Sequence, residues 1–290
     1  MIKKPLCIYH GNCADGFSAA WVLWKKFGPE NIEFHAGSYG EDIPDVAGRE
    51  VFMVDFSYPP EKLKQILGLC DGLTILDHHK SAWEDFQKLR PTLPVYELSR
   101  LSHVTFDMNH SGAILSWLYF FPDQPAPQML LHVEDRDLWK FVYTNTREVS
   151  SNLFSFPYDF DIWNSFMNLT QMEITGKFAQ EGRAIERKHL KDIKELLTVC
   201  CRRMKIGDYW VLAANLPYTM GSEAGGILAL TEVFGAYYWD SAKGFREFGL
   251  RSIKGGVDVS AIAKLYGGGG HENAAGFHLT FEEAKEKKLM

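Results

Sequence analysis

Short, mainly apolar runs alternate with longer segments that are apolar on one face along the first part of the chain. The runs Leu6–Tyr9, Val51–Val54 and Leu73–Leu76 have the length of strands, and Ile32–Ala36 is a further strand candidate. Strands that are apolar on both faces are typical of a parallel sheet covered by helices on both sides. The segments with one apolar face predict helices at Gly16–Phe27, from Pro60 to Leu69, from Ser111 to Phe121 and from Gln128 to Leu138.

The pattern changes after residue 173. Residues Ile174–Met204 are highly charged and nearly free of helix-breaking residues, which predicts a helical connector. Beyond it, turns rich in glycine and serine separate three strand candidates, Tyr209–Asn215, Phe234–Trp239 and Phe248–Ile253. We therefore predict an α/β protein with an N-terminal parallel-sheet domain (1–173), a helical connector (174–204) and a smaller α+β C-terminal domain (205–290).

Composition narrows the class of protein. The 290 residues are 46% hydrophobic and 23% charged, which is typical of a globular protein. The longest apolar run, Ala113–Phe121, reaches about half of a membrane span, and the N-terminus lacks the pattern of a signal peptide, so we expect no membrane segment. Five cysteines without a CxxC pair favour a reducing cytoplasm over a disulfide scaffold or a structural zinc site.

Net charge limits the choice of partners. The chain carries 31 Lys and Arg residues against 37 Asp and Glu residues, a net charge of −6, and it has no block of basic residues. A protein that holds a long nucleic-acid duplex usually has a basic face, so we expect no binding of long duplexes. The charge of an anionic substrate would then be met locally, by metal ions or by a few arginines.

Acidic and imidazole side chains follow three of the four predicted N-terminal strands. They are His10, Cys13 and Asp15 after the first strand, Asp55 after the third, and Asp77, His78 and His79 after the fourth. Because the carboxyl ends of parallel strands meet at one edge of a sheet, these groups should converge. Carboxylates that lie so close repel one another unless a cation lies between them, and mixed oxygen and nitrogen donors favour Mn²⁺ or a similar ion over Ca²⁺. Taken singly, Asp55 is also a candidate helix N-cap, and His10 an ordinary hydrogen-bonded histidine.

Two further sets of polar residues lie outside these strands. The stretch EDRDLW contains Glu134, Asp135, Arg136 and Asp137. Alternating charges of this kind are also typical of a surface salt-bridge cluster. In the C-terminal part, four glycines (267–270) precede His271, and Arg251 lies in a strand candidate. The backbone N–H groups of a glycine-rich segment can hold an anion, although such a run is also typical of a flexible turn.

The order of these motifs resembles that of the DHH phosphoesterase superfamily, in the branch that carries the DHH-associated C-terminal domain. The resemblance spans residues 6–279 and rests on HGNCADGFSAA, VDF, LDHHKSA, EDRDLW, LRSI and GGGGHENAAGF. It implies a two-domain, Mn²⁺-dependent phosphoester hydrolase with two metal ions on the larger domain, Mg²⁺ and Co²⁺ being the other candidate ions. The smaller domain would hold the phosphate or the base of the substrate.

The resemblance also implies a role for each matched position. Asp55 would bridge the two metal ions. One ion would be held by His78, Asp15 and Asp135, with Asp135 favoured over Asp137, and the other would lie at His10 and Cys13. Asp77, also a candidate ligand, and His79 would position ligands or contact the phosphate, and Arg136 would meet its charge. Phosphate binding in the C-terminal domain would fall to Arg251, Gly268, Gly269, Gly270 and His271.

One position departs from the family pattern. Cys13 stands where the first of two aspartates is expected. A thiolate is a softer donor than Mn²⁺ prefers. The first metal site would therefore be weaker, would favour a different ion, or would fill only together with the substrate.

The leading hypothesis is a metal-dependent phosphodiesterase that hydrolyses short oligonucleotides or dinucleotide phosphoesters with a water activated between two metal ions. A hydrolase of phosphoanhydrides, such as polyphosphate or pyrophosphate, is the first alternative. The second is a nucleotide-binding protein whose turnover is weakened by Cys13. A homodimer is left open.

Overall fold

The computed structural model describes residues 3–290, which divide into two compact units, one ending at Glu186 and one formed by Arg187–Met290. The first unit is built on a five-stranded sheet whose strands are β1 (Leu6–His10), β2 (Glu33–Gly37), β3 (Glu50–Val54), β4 (Gly72–Asp77) and β5 (Leu101–Phe106). All neighbouring strands run parallel, in the order β2-β1-β3-β4-β5. The predicted α/β class is confirmed, and the four predicted N-terminal strands correspond to β1–β4.

Nine α-helices lie in the described part of the first unit before its last, long helix. They are α1 (Ala14–Phe27), α2 (Pro60–Leu69), α3 (Lys80–Leu89), α4 (Val95–Leu98), α5 (Gly112–Phe120), α6 (Gln128–Asp137), α7 (Thr146–Leu153), α8 (Phe160–Met167) and α9 (Gln171–Glu173). Helix α2 begins with Pro60, whose fixed φ suits the first helical position. Helix α5 begins after Ser111, whose side chain accepts a hydrogen bond from the backbone N–H of Ile114.

The sheet of the first unit is buried on both faces. Cys7 and Phe52 belong to a core cluster that includes residues of α1 and α5. Their chain neighbours Ile8 and Met53 belong to another cluster, which includes residues of α2. Successive side chains of a strand point to opposite faces, so a strand between two layers of helices must be apolar at every position. This is the pattern from which the parallel sheet was predicted.

The predicted connector is only partly helical. A π-helical stretch at Ile174–Phe178 leads into α10 (Ala179–Cys200), and the boundary between the two units lies within this helix. The helix does not extend to Met204 as the charge pattern predicted, because residues Cys201–Ile206 form β6 instead. Met204 and Ile206 alternate with charged residues and pack in the core of the second unit, which explains the strand.

The second unit contains a six-stranded mixed sheet in the order β10-β11-β9-β8-β7-β6. After β6, its strands are β7 (Tyr209–Asn215), β8 (Gly235–Asp240), β9 (Phe245–Arg251), β10 (Gly269–His271) and β11 (Ala274–Thr280), and its helices are α11 (Tyr218–Leu228), α12 (Val259–Lys264) and α13 (Phe281–Glu286). Only β7 and β8 pair in parallel. In the described part of the chain, no helix combines the length and apolar character needed to cross a membrane.

Candidate metal centre

Three neighbouring strands of the first sheet end at the same edge. His10 is the last residue of β1, Asp55 follows β3, and Asp77 is the last residue of β4. Strands β1, β3 and β4 are adjacent and parallel, so their carboxyl ends lie side by side. The structure thus brings together the groups that the sequence predicted to converge.

Asp55 lies at the centre of the cluster. Its backbone is in the left-handed region, with φ of 54°, and its N–H donates to the carbonyl of Leu76 at 2.9 Å. The carboxylate is buried, and its Oδ1 lies 3.0 Å from Nε2 of His78. Its Oδ2 lies 3.6 Å from Sγ of Cys13 and 3.7 Å from Nδ1 of His10. The two oxygens of Asp55 therefore face two different groups of donors.

The first donor group consists of His10, Cys13 and Asp55, with one ligand atom of each within 4.8 Å of the others. Cys13 is the N-cap residue of α1, but its side chain makes no capping hydrogen bond. A Cβ atom at Gly16 would lie 2.3 Å from the carbonyl oxygen of His10, so only glycine lets the first turn of α1 approach β1 this closely. This approach places His10 and Cys13 at the same donor group.

The second donor group consists of Asp15, His78 and Asp137, again within 4.8 Å of one another. Nε2 of His78 lies 3.7 Å from Oδ2 of Asp15 and 3.5 Å from Oδ2 of Asp137. The carboxylate of Asp15 accepts hydrogen bonds from the N–H of Gly112 at 2.6 Å and the N–H of Ala113 at 3.1 Å. The first turn of α5 thus fixes the position of Asp15, as helix N-termini commonly do for anions.

Asp137, and not the favoured Asp135, lies at this second group. The carboxylate of Asp135 accepts from the N–H of Val142 at 2.8 Å, the N–H of Tyr143 at 3.0 Å and the hydroxyl of Thr146 at 2.6 Å. Residues two positions apart on a helix point to different sides, so the two aspartates near the end of α6 cannot share one site. Asp137 replaces Asp135 in the ligand set that we propose.

Asp77 orients His79, the last residue of the DHH motif. Its Oδ1 accepts from the N–H of His78 at 2.7 Å and lies 2.7 Å from Nδ1 of His79, and its Oδ2 accepts from the hydroxyl of Ser57 at 2.6 Å. Asp77, which is fully buried, also groups with Asp55 and His79 as a set of potential metal donors. Ser57 was missed by the sequence analysis, although its place directly after the VDF motif was a usable signal.

Tyr39 is a second residue that the sequence analysis missed. Its ring lies edge-on to that of His10, with centroids 5.8 Å apart, and 5.1 Å from that of Phe56. The side chain is 48% exposed, so it borders the donor groups from the solvent side. No local pattern around Tyr39 distinguishes it from any other loop tyrosine.

The charges of the cluster shift the pKa values of its members. Burial acts to lower the pKa of His78, but its hydrogen bond to Asp55 and the neighbouring carboxylates raise it to about 10. Burial acts to raise the pKa of Asp77, but the charge of His79 and its hydrogen bond lower it to about 2. Burial, together with the charges of neighbouring carboxylates, raises the pKa of Asp15 well above its usual range. A cation that binds at His78 therefore has to displace a firmly held proton.

The donor set fits divalent cations. The side chains of Asp15, Asp55 and Asp77 are at most 2% exposed, and that of Asp137 is 28% exposed. So many acidic groups stay ionised together only when positive charge lies among them. Oxygen and nitrogen donors with a single sulfur suit Mn²⁺, Co²⁺ or Zn²⁺, and the sulfur favours the softer ions of this series. The first and second donor groups would each hold one ion, with Asp55 between them.

Cobalt absorption gives a direct measure of the role of Cys13. We expect wild-type protein titrated with Co²⁺ to develop a near-ultraviolet thiolate-to-cobalt absorption band, because Cys13 lies in the first donor group. The band should be lost in Cys13→Ser and kept in Cys200→Ser, a control at a cysteine in α10. A band that survives in Cys13→Ser would show that this thiol does not bind the ion.

The other predicted residues make contacts within their own units. The guanidinium of Arg136 lies over the ring of Trp139, 4.3 Å from its centroid. In the second unit, Arg251 donates to the hydroxyl of Ser222 at 2.8 Å. The predicted phosphate-binding glycines are not an open turn, since Gly269, Gly270 and His271 form the edge strand β10. A Cβ atom at Gly268 would lie 2.1 Å from the carbonyl oxygen of Gly276, so close packing accounts for this glycine.

We compared the chain and its structure with known proteins. No protein-family model matches the chain. An uncharacterized protein of Acanthamoeba polyphaga mimivirus is 29% identical over 297 residues, which cover 94% of this chain and 67% of that protein. Among solved structures, the DHH domain of a member of the s1p family of ribosomal proteins is similar with a TM-score of 0.57 and 13% identity, covering 99% of this chain and 85% of that one.

Two further structures are similar at lower scores. The pGpG-specific phosphodiesterase PggH of Vibrio cholerae has a TM-score of 0.49 and 14% identity, covering 99% of this chain and 97% of that one. The exonuclease RecJ bound to manganese has a TM-score of 0.45 and 13% identity, covering 99% of this chain and 88% of that one. The chain has the fold of a DHH domain, as the order of its motifs predicted.

Proposed function

We propose that the protein is a divalent-metal-dependent phosphodiesterase that hydrolyses short oligonucleotides or dinucleotides. The observation that carries the proposal is the arrangement of two donor groups on either side of one buried carboxylate, that of Asp55. Two ions held in this way form the clamp that phosphoryl hydrolysis uses. The DHH-domain fold and the motif order support the same reaction. A net charge of −6 without a basic run favours a short substrate over a long duplex.

The chain itself would bind and orient the substrate and donate a hydrogen bond to its phosphate. When bound, divalent ions supply Lewis acidity toward the phosphoryl oxygens and lower the pKa of a water. Asp15, held by two backbone amides, and Asp55 keep the donors in fixed positions before the substrate arrives. With Nδ1 bonded to Asp77, His79 would act through Nε2, donating a hydrogen bond to the charge that develops on the phosphate.

We propose that the reaction takes place in the cytoplasm. All five cysteines are free thiols. Cys13 also lies in a donor group whose function needs a reduced sulfur. Disulfides persist mainly in oxidising compartments, so these thiols favour a reducing cytoplasm. We propose Mn²⁺ as the ion of the second donor group, which contains only oxygen and nitrogen donors.

Product analysis tests the function. We expect purified protein to release mononucleotides from a 5′-phosphorylated RNA dinucleotide with Mn²⁺ and none with a chelator. Asp77→Ala should lower the rate by about 10- to 100-fold, the usual effect of removing a residue that orients a metal site. Asp71→Ala, at an exposed position just before β4, is the matched control and should not change the rate.

Other outcomes contradict the proposal in distinct ways. Shortening of polyphosphate without cleavage of the dinucleotide would favour a phosphoanhydride hydrolase. Nucleotide binding without turnover of either compound would favour a binding protein, and Cys13 would be the first residue to replace by aspartate.

A further inference from the structure

The chain leaves the second donor group through an unusual loop. Residues 138–143, called here the Trp139 loop, follow Asp137 directly at the end of α6. Two of its aromatic residues adopt left-handed backbone conformations, Trp139 with φ of 55° and Phe141 with φ of 50°. Bulky residues seldom adopt this conformation, and it persists only where the surroundings enforce it. The loop therefore holds its aromatic side chains at a conformational cost.

Asp135 enforces the shape of the Trp139 loop. Its carboxylate accepts from the N–H groups of Val142 and Tyr143, and its carbonyl accepts from the N–H of Lys140 at 2.9 Å. The residue is 1% exposed. The buried carboxylate of Asp135 thus holds the loop that directly follows Asp137 of the second donor group.

Guanidinium groups and aromatic rings alternate over this loop. Arg136 lies 4.3 Å from the centroid of Trp139 and 6.0 Å from that of Phe154, and Arg147 lies 3.7 Å from that of Phe141. Trp139 and Phe154 remain 37% and 49% exposed. Flat, positively charged layers of this kind are the surfaces on which nucleic-acid bases stack, and arginine also attracts the phosphate.

We propose that the Trp139 loop, with Arg136 and Arg147, is a nucleotide-binding platform that stacks the base next to the scissile phosphate. The position of the base beside the reacting phosphate rests on the proposed function. Binding of a nucleotide at the loop does not, because it depends only on the layered side chains. The platform is part of the first unit, and Trp139 lies two positions after Asp137 in the chain, so it would select nucleotides at the centre where they react.

Nucleotide binding tests the platform without turnover. We expect Trp139→Ala to weaken the binding of AMP by about 10-fold or more in calorimetry, the usual effect of removing a stacking side chain. Binding of inorganic phosphate should stay unchanged. Trp139→Phe keeps a ring and should restore most of the affinity. Trp210→Ala, at a 64% exposed tryptophan in β7, should behave as wild type.

Kinetics separate stacking from a general structural effect. Trp139→Ala should raise KM for a dinucleotide by about 10-fold and leave kcat for the dinucleotide unchanged. KM for the abasic analogue of the dinucleotide should also stay unchanged. Equal losses on both substrates, or AMP binding as in wild type, would overturn the platform while leaving the phosphodiesterase in place. Conversely, the protein could bind AMP in a way that depends on Trp139 and yet cleave no phosphodiester. That result would contradict the proposed function and support the platform.

Discussion

Asp55→Asn should remove most of the metal binding and most of the hydrolytic activity. This carboxylate lies within 4 Å of donors from both groups, through Cys13 and His10 on one oxygen and His78 on the other. An amide is a neutral and weaker ligand, so it would leave the two ions without a shared anion. The loss of about 4 kcal/mol of transition-state stabilisation corresponds to a rate about 10³-fold lower.

The measurement for Asp55→Asn is the dinucleotide assay together with calorimetric titration of Mn²⁺. Asp45→Asn is the matched control, because Asp45 is an exposed aspartate of the same unit that pairs with Lys3 at 2.8 Å. The control should lose neither metal nor activity. Retention of Mn²⁺ and of more than about one tenth of the rate by Asp55→Asn would mean that Asp55 does not join the two groups.

Strand-end reasoning was sufficient to find the centre of the site. The parallel sheet follows from strands that are apolar at every position, and parallel strands place their carboxyl ends together. The positions of His10, Asp55 and His78 at strand ends are therefore enough to predict that the three residues lie close together. The structure adds that Asp55 separates the donors into two groups.

The rotation of a helix about its axis and the contacts between distant residues could not be predicted from the sequence. Whether Asp135 or Asp137 faces the donors depends on how α6 is rotated against the sheet, and the motif EDRDLW looks the same in either rotation. The contact of Asp15 with the amides of α5 joins residues 97 positions apart. Strand β5 was missed because its positions mix polar and apolar residues, and β6 because its alternating charges continue the charged pattern of α10.

Gly112→Ala should damage the site from a position that carries no donor side chain. Gly112 is the first residue of α5, and a Cβ atom there would lie 2.4 Å from Cβ of Asp55 and 2.7 Å from its Cα. These atoms belong to or adjoin the backbone, so α5 has to move away. That movement would withdraw the N–H groups that hold Asp15. We expect about 3 kcal/mol less stability, the upper part of the usual cost of overpacking.

Gly68→Ala separates this steric effect from the general effect of removing a glycine. Gly68 lies inside α2, and apart from its two chain neighbours and the adjacent backbone of its own helix, no atom lies within 4 Å of the position of its Cβ. Alanine there should raise the free energy of unfolding by about 0.5–1 kcal/mol, because it restricts the unfolded chain and suits a helix. Urea unfolding of both variants, with Mn²⁺ titration of the folded proteins, should show opposite signs in stability and weaker metal binding only in Gly112→Ala. If Gly112→Ala binds Mn²⁺ as wild type does, the donor geometry does not depend on the contact between α5 and Asp55, and Asp15 is held in place by other means.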